Sequence, residues 1–269
     1  MFFIHSSIFR LRCVNIFPVM IKSIGHVVVL NNIPFKIEEK KVLRELRIPR
    51  SIETLKDINE EHIARDIKNA IDLAYSLIKG AACYCTFKVE VFRDENPHPH
   101  SFASAQDRPA LREVEGVGMG LAEERVAIPE SDTLFRGENM LRLLKKCDYA
   151  TLLVCTIGDT IVKKIEVLTK SSLTEAYYLE RVAAWMADYM AEYIGTIIET
   201  EIRKNGFEPT FRYAAGYGDW GLDAQSEIMR LTEAGKIGVS ITESFIMVPR
   251  FSVSAVIGWE RKEAMSVKQ

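Results

Sequence analysis

The sequence lacks the features that mark several large classes of protein. No apolar run reaches the roughly 18–20 residues that a membrane-spanning helix needs, so we expect no membrane span. The formal net charge is −2 over 269 residues, whereas proteins that bind nucleic-acid phosphates normally show a basic face. We therefore expect neither a nucleic-acid partner nor a membrane partner. A chain of this length suffices for one large domain or two small ones.

Cysteine is also scarce, and its five positions argue against a disulfide framework. An odd number of cysteines spread over a chain of this size is typical of a reduced, cytoplasmic protein. Cys83 and Cys85 lie two residues apart and would share one face of a strand. Together with His98 and His100 they suggest a metal site, but structural zinc sites usually use a C-x₂₋₄-C spacing. We favour buried thiols plus a polar loop, and we predict no metal site.

The common signatures of catalysis and nucleotide binding are missing as well. The chain has no G-x-G-x-x-G turn after a strand, no P-loop, no H-E-x-x-H and no nucleophile elbow. Its five histidines lie mostly in peripheral segments, so no serine–histidine or cysteine–histidine pair is evident. We therefore predict no catalytic residue, and a free-standing enzyme is the least favoured functional hypothesis.

Two segments have compositions that do not fit a folded domain. Residues 1–19 are apolar and slightly basic but lack the charge order and cleavage site of a signal peptide. We predict that the domain starts at Met20 and that residues 1–19 are an upstream extension or disordered. The alternative is an interfacial helix or an anchor.

Residues 94–116 are polar and rich in X-Pro pairs, which favours a disordered insertion over a functional lid. The domain then covers 20–260, and 261–269 form a tail.

The rest of the pattern predicts an α+β fold. Apolar residues recur at helical spacing over 172–206, and about thirty helical residues make a rod of about 45 Å. Because helices and strands show no regular βαβ repetition, we predict a single α+β domain with a twisted, mostly antiparallel or mixed sheet and a long central helix. Shorter helices are predicted at 36–46, 60–80, 137–147, 159–170 and 222–234, and strands at 83–92, 149–158, 210–214 and on both sides of Pro249.

Two C-terminal segments, taken together, resemble a known family. The segment FRYAAGY, residues 211–217, is followed about twenty-five residues later by ITESFIMVPRFSVSAVI, residues 241–257. The pair is similar to the activation domain of vitamin B12-dependent methionine synthase, which carries an R-x-x-x-G-Y turn and then an L-T-E-S-x-x-M-x-P-x-x-S-V-S run. The helix ERVAAWMADYMAEYI resembles the helix that precedes this turn in the family. The stretch VCTIGDTIVKKI resembles short stand-alone relatives.

The resemblance implies both a fold and a function. The family has one α+β domain with a twisted, mostly antiparallel sheet, and it binds S-adenosylmethionine and presents it to a cobalamin cofactor on another domain. Its methyl group, with an electron from a flavodoxin- or ferredoxin-type donor, restores oxidised cobalt to methylcobalamin. The chain is accordingly predicted to be an accessory protein that serves a corrinoid methyltransferase in methionine biosynthesis. The alternative is a non-catalytic module that holds a corrinoid protein without S-adenosylmethionine.

The matching residues suit the chemistry of that ligand. An arginine donates two parallel hydrogen bonds to a carboxylate, small residues allow close approach to the backbone, and an aromatic ring stacks on adenine or faces a sulfonium. An acidic residue meets the ammonium group. The candidate binding residues are Glu208, Arg212, Ala214, Ala215, Gly216, Tyr217 and Glu243.

Each candidate also has a structural alternative. Arg212 is then a solvated residue at a strand end, Tyr217 and Trp220 cap the core, and Glu208 is an exposed turn residue. Glu243 then stabilises the connection between strands. The chain also departs from the family pattern, because GDWG follows the turn and Ala184 stands where the family helix carries a glutamate that faces the ligand.

Overall fold

The computed structural model describes residues 25–94, 123–131 and 133–261. The predicted extension 1–19, nearly all of the predicted insertion and most of the C-terminal tail lie outside the described residues. The same holds for His98 and His100, so the predictions on these segments stay predictions.

The described chain contains six α-helices and ten strands in a mixed order, which confirms the α+β class. The helices are α1 Glu39–Glu45, α2 Glu61–Leu77, α3 Glu138–Leu144, α4 Thr160–Ser171, α5 Leu173–Lys204 and α6 Ala224–Thr232. The strands are β1 Val28–Asn31, β2 Ala81–Lys88, β3 Glu90–Asp94, β4 Glu123–Ile128, β5 Thr133–Phe135, β6 Cys147–Thr156, β7 Phe207–Pro209, β8 Ser240–Ile241, β9 Met247–Val248 and β10 Ser252–Arg261. None of these helices combines the length and apolar character that crossing a membrane requires.

The main sheet has five strands in the order β1-β2-β6-β10-β7, and each neighbouring pair is antiparallel. The two longest strands, β6 and β10, pair along almost their whole length. Strands β3, β4 and β5 form a second antiparallel sheet, and β8 and β9 form a short hairpin. The prediction of a mostly antiparallel sheet is therefore confirmed.

Helix α5 covers one face of the main sheet, as the long apolar pattern predicted. It begins after Ser172, whose hydroxyl accepts a hydrogen bond from the backbone N–H of Glu175. One side of the helix is buried throughout its 32 residues, and it packs with α2 and α4 against alternate residues of β2, β6 and β10. The other residues of these strands face a second apolar cluster that contains α3 and α6. Because both faces are covered, β6 consists of apolar residues almost throughout.

Several boundaries differ from those expected, each for a local reason. The strand predicted over 83–92 is two strands, because the backbone N–H of Val89 bonds to Asp148 and breaks the run between β2 and β3. Helix α6 ends before Glu233, which has a left-handed backbone with φ of 51°. Asp159 stands at the start of α4 but forms an ion pair with Lys163 instead of a side-chain cap.

The cysteines on β2 are buried thiols. Cys83 and Cys85 lie on the same face of the strand in the second apolar cluster, and burial raises the pKa of each thiol to about 11. Within the described residues, no group of three or more His, Cys, Asp or Glu side chains is placed to hold a metal ion.

A buried polar chain ties β2, β6 and β10 together. Thr151 is fully buried on β6, and its hydroxyl accepts a hydrogen bond of 2.8 Å from the Trp259 indole N–H. The same hydroxyl lies 2.9 Å from that of Thr86 on β2. These bonds satisfy polar groups that would otherwise be stranded inside the sheet.

We expect Thr151→Val to lower the free energy of unfolding by about 1–3 kcal/mol, because it leaves the Trp259 N–H buried without a partner. Urea denaturation followed by tryptophan fluorescence measures the change. The control is Thr200→Val, at an exposed position of α5 where a loss within about 0.5 kcal/mol is expected. A Thr151→Val variant as stable as this control would show that the buried chain contributes nothing.

Candidate functional site

The candidate site lies where the chain leaves the outer edge of β10. Strand β7 pairs with the end of β10, and Tyr213 then exchanges two backbone hydrogen bonds with Val256, at 3.0 and 2.8 Å. At Ala214 the chain turns away from the strand. A cavity of about 360 Å³ fills the space that it leaves, between α5, the turn 212–217, the first turn of α6, β9 and the start of β10. Ligand pockets typically have volumes of about 300–1,000 Å³.

Glycine and tyrosine give the turn its shape. Gly216 has a φ of 89°, which glycine adopts freely, and a Cβ atom there would lie 2.7 Å from Leu222 Cδ2. The Gly216 N–H donates to the Trp220 carbonyl over 2.8 Å, and the Tyr213 hydroxyl donates to the Tyr217 carbonyl over 2.7 Å. The turn is therefore held closed by hydrogen bonds within the segment itself.

The GDWG segment anchors this turn to the protein interior. Trp220 is 2% exposed, stacks on Tyr213 at 5.8 Å and meets Phe135 edge-on at 5.5 Å. The Asp219 carboxylate accepts a hydrogen bond from the Asn139 N–H in the first turn of α3. The structure thus supports the alternative that Trp220 packs in the core. The GDWG segment, in which the chain departs from the family pattern, anchors the turn to the rest of the fold.

An exposed arginine and an exposed aspartate lie at the cavity. Arg212 and Asp188 both line it, and neither forms a hydrogen bond or ion pair within the described chain. Partial removal from water raises the pKa of Asp188, the charge of Arg212 lowers it, and that of Glu45 raises it. The stem of Arg212 passes over Gly195 on α5, where an added Cβ would lie 3.9 Å from Arg212 Cδ. That distance is an ordinary van der Waals contact, so the arginine packs against this part of the helix.

The interior wall of the cavity carries neutral polar groups. Gln225, in the first turn of α6, is 5% exposed, and its Oε1 has no hydrogen-bond partner. Ser254 on β10 is 2% exposed, and its hydroxyl forms no hydrogen bond within the described chain. The neighbouring Ser252 is different, because its hydroxyl donates to the Pro249 carbonyl over 2.6 Å and lies 3.0 Å from the Thr156 hydroxyl.

The structure brings together most of the binding residues predicted from the sequence. Arg212, Ala214, Ala215 and Tyr217 line the cavity, and Gly216 lies between them in the turn. Whether these residues bind a ligand stays a prediction.

Two predicted residues lie away from this cavity. Glu208 is on β7, where it is paired in register with Glu260, and its carboxylate lies 3.8 Å from Arg203 Nε. Glu243 is exposed in the β8–β9 connection. In that connection the Thr242 hydroxyl accepts a hydrogen bond from the Ile246 N–H, which stabilises the turn.

Sequence reasoning missed two of the cavity residues, Asp188 and Gln225. Asp188 lies one helical turn after Ala184, the position where the helix of the resembled family carries a glutamate. Helix α5 therefore presents a carboxylate close to that position. A signal was available, because Asp188 shares its helix face with the small residues Ala184, Ala191 and Gly195. Nothing in the polar pattern of α6 distinguishes Gln225 from solvent-facing residues.

Comparisons with known proteins give a likeness of fold. Neither a scan against protein-family models nor a search of curated proteins finds a match. Among solved structures, the chain is similar to the crystal structure of the MetH reactivation domain bound to AdoHcy, with a TM-score of 0.54 and 16% sequence identity. The likeness covers 90% of this chain and 82% of that chain. It supports a distant relationship of fold to the family that the C-terminal motifs resemble.

Asp188→Asn is expected to raise the free energy of unfolding at neutral pH. Because the pKa of Asp188 is raised, the folded protein keeps this proton at pH values where the unfolded chain has released it. The contribution of the group to stability is complete below its ordinary pKa and is lost as the pH rises through the raised value. The advantage of the asparagine variant should therefore shrink as the pH is lowered.

Urea denaturation at a series of pH values from about 3 to 7 measures this difference. The control repeats both measurements with Arg212→Ala, which removes the charge that lowers the pKa of Asp188 and should enlarge the advantage. A wild-type protein that is more stable than Asp188→Asn at neutral pH would contradict the account.

Proposed function

We propose that the cavity binds S-adenosylmethionine or S-adenosylhomocysteine and that the chain serves a corrinoid protein as a reactivation partner. The observation that carries the proposal is the pair of opposite charges, Arg212 and Asp188, which line one small cavity without a hydrogen bond or ion pair in the described chain. The C-terminal motifs and the distant likeness of fold support the same class of ligand.

The two charges match the amino-acid end of such a ligand. An amino acid carries its carboxylate and its ammonium group on the same carbon atom. The cavity offers one basic and one acidic side chain, Arg212 and Asp188. The Arg212 guanidinium would donate two hydrogen bonds to the carboxylate, and the Asp188 carboxylate would accept from the ammonium group. A ligand with only one of these charges would leave the other side chain desolvated and unpaired.

The open mouth of the cavity suits a ligand whose reactive group is used elsewhere. Tyr217 is 68% exposed, and its ring can face the sulfonium while the methyl group points outward. S-adenosylmethionine would supply the methyl group to a cobalt centre held by the partner, while a flavodoxin- or ferredoxin-type donor supplies the electron. The contribution of this chain is then to bind and orient the methyl donor, without acid–base chemistry.

The surface around the mouth is suited to a protein partner. Tyr217 and Met247 line the cavity, and other exposed apolar residues lie close in sequence to Met247 and to the turn 212–217. This apolar rim consists of Phe211 at 68% exposure, Tyr217 at 68%, Leu222 at 45%, Ile246 at 58% and Val248 at 46%. Exposed apolar groups of this kind mark interaction surfaces. A corrinoid protein docked there would bring its cofactor to the cavity mouth.

The second candidate function is a module that holds a corrinoid protein without S-adenosylmethionine. The apolar rim alone would serve that function equally well. The two opposite charges on the cavity favour the first candidate, because a surface that only docks a protein needs no basic and acidic side chain beside a pocket.

We expect the wild-type protein to bind S-adenosylhomocysteine in isothermal titration calorimetry, and Arg212→Ala to weaken the affinity by about tenfold or more, or about 1.4 kcal/mol. Asp188→Ala should have an effect of similar size, because each substitution removes one partner of a charged group. The matched control is Arg142→Ala, since Arg142 lies on the exposed side of α3 and pairs only with Glu138.

The same titration tests the residues predicted from the sequence that lie away from the cavity. Glu208→Ala and Glu243→Ala should leave the affinity within about threefold of wild type if the ligand occupies this cavity. No heat and no thermal shift at millimolar ligand would refute S-adenosylmethionine binding. In that case, capture of a corrinoid protein that is indifferent to S-adenosylmethionine would favour the docking module.

A further inference from the structure

We infer that Gln225, together with the open edge of β10 at Ser254, recognises the base of the bound ligand. These groups form the neutral wall of the cavity, which binds a planar nitrogen heterocycle such as adenine through paired donors and acceptors. The inference rests on the proposed function, because it concerns the same cavity, and it assigns a specificity-determining role to residues outside the glycine turn.

Gln225 borders the cavity with an amide whose hydrogen bonding the chain leaves incomplete. Its side chain is 5% exposed and lines the cavity, and its buried Oε1 accepts no hydrogen bond. A buried amide oxygen without a partner lowers stability, and rotation of the amide toward a bound ligand would give the oxygen a partner.

Ser254 adds main-chain groups on the same wall. The backbone N–H and C=O of Val256 both bond to Tyr213, and those of Gly258 both bond to Thr210. The backbone groups of Val256 and Gly258 therefore point to the outer edge of β10. Backbone groups alternate between the two edges of an antiparallel strand, so the N–H and C=O of Ser254 point to the same outer edge. In the described part of the chain no strand pairs with that edge beyond Tyr213, and the cavity begins there.

The chemistry of these groups matches the edge of an adenine. A glutamine amide places one acceptor and two donors in a single plane, and adenine presents an amino donor beside a ring-nitrogen acceptor. The N–H and C=O of a strand edge offer the same alternation of donor and acceptor. The wall carries no charge, so it complements a neutral base, while Arg212 and Asp188 take the zwitterionic end of the ligand.

Two nearby polar residues show what a purely structural role looks like. The Ser252 hydroxyl, also on the cavity, donates to the Pro249 carbonyl. The Thr232 hydroxyl on α6 is fully buried and donates to the Ile228 carbonyl over 2.6 Å. Both are satisfied by the chain itself. Thr232→Val therefore serves as the matched control for Gln225, as a buried polar residue on the same helix that does not line the cavity.

Two ligands separate the base from the amino-acid end. S-adenosylhomocysteine carries both, whereas 5′-methylthioadenosine carries the adenosyl group without the amino acid. We expect Gln225→Met to weaken the binding of both ligands by the same factor, about tenfold. Gln225→Glu keeps the shape but loses the amide donor, so it should weaken both as well. Arg212→Ala should weaken only S-adenosylhomocysteine, and Thr232→Val neither.

The melting temperatures of the variants without ligand test the role of Gln225 independently of binding. Gln225→Met removes an unpaired buried amide, so we expect its melting temperature to rise by about 2–4 °C, while that of Thr232→Val falls. A lower melting temperature for Gln225→Met would show that the amide stabilises the fold and would overturn the inference.

The binding results decide the rest. Wild-type affinity of Gln225→Met for both ligands would overturn the inference and leave the proposed function intact. So would a loss confined to S-adenosylhomocysteine, since Gln225 would then contact the amino-acid end. If the wild-type protein binds neither ligand, the proposed function fails first and the inference fails with it.

Discussion

Hydrogen bonding along the outer edge of β10 determines where the candidate site lies. The segment from β7 to Tyr213 covers that edge from Arg261 back to Val256 and then leaves it at Ala214. A strand edge must be paired, covered or solvated, and here the uncovered length becomes the floor of a cavity. The register of β10 on β6 is fixed by two buried faces, because a slip of one residue would exchange the two apolar clusters. The two long strands therefore set the place of the cavity, and α5 and α6 close it from opposite faces of the sheet.

The buried polar groups that stabilise the fold differ from the polar groups that line the cavity. Thr151, Ser252 and Thr232 are buried and fully bonded within the chain, so they stabilise the fold. Arg212 and Asp188 are exposed and form no ion pair, Gln225 has a buried amide oxygen without a partner, and all three line one cavity. Groups whose hydrogen bonding the chain leaves incomplete are available to a ligand. The meeting of three such residues in one place is therefore a stronger indication of a ligand site than any single residue, and it is independent of the likeness to the MetH reactivation domain.

The long helix and the antiparallel α+β class follow from the sequence, because apolar periodicity over some thirty residues admits few alternatives. The turn 212–217 was recognised as a candidate binding segment from its residues, and four of the predicted binding residues do line the cavity. Asp188 and Gln225 were not found, because their roles arise only when α5 and α6 meet across the open edge of β10. Trp220 shows the converse: an aromatic residue in a candidate binding turn packs in the core, since its ring fits between Phe135 and Tyr213. Local patterns identify elements, whereas a binding wall built from distant segments depends on tertiary packing.

The central claim is that one cavity holds an adenosyl amino acid with its charged end on Arg212 and Asp188. A crystal structure of the protein grown with S-adenosylhomocysteine tests this claim most directly. The account predicts the ligand carboxylate within hydrogen-bond distance of the Arg212 guanidinium and the ammonium group beside the Asp188 carboxylate. It also predicts the base against Gln225 and the outer edge of β10. Density for the ligand at another surface, or a ligand in the cavity with its amino-acid end away from both charges, would contradict the account.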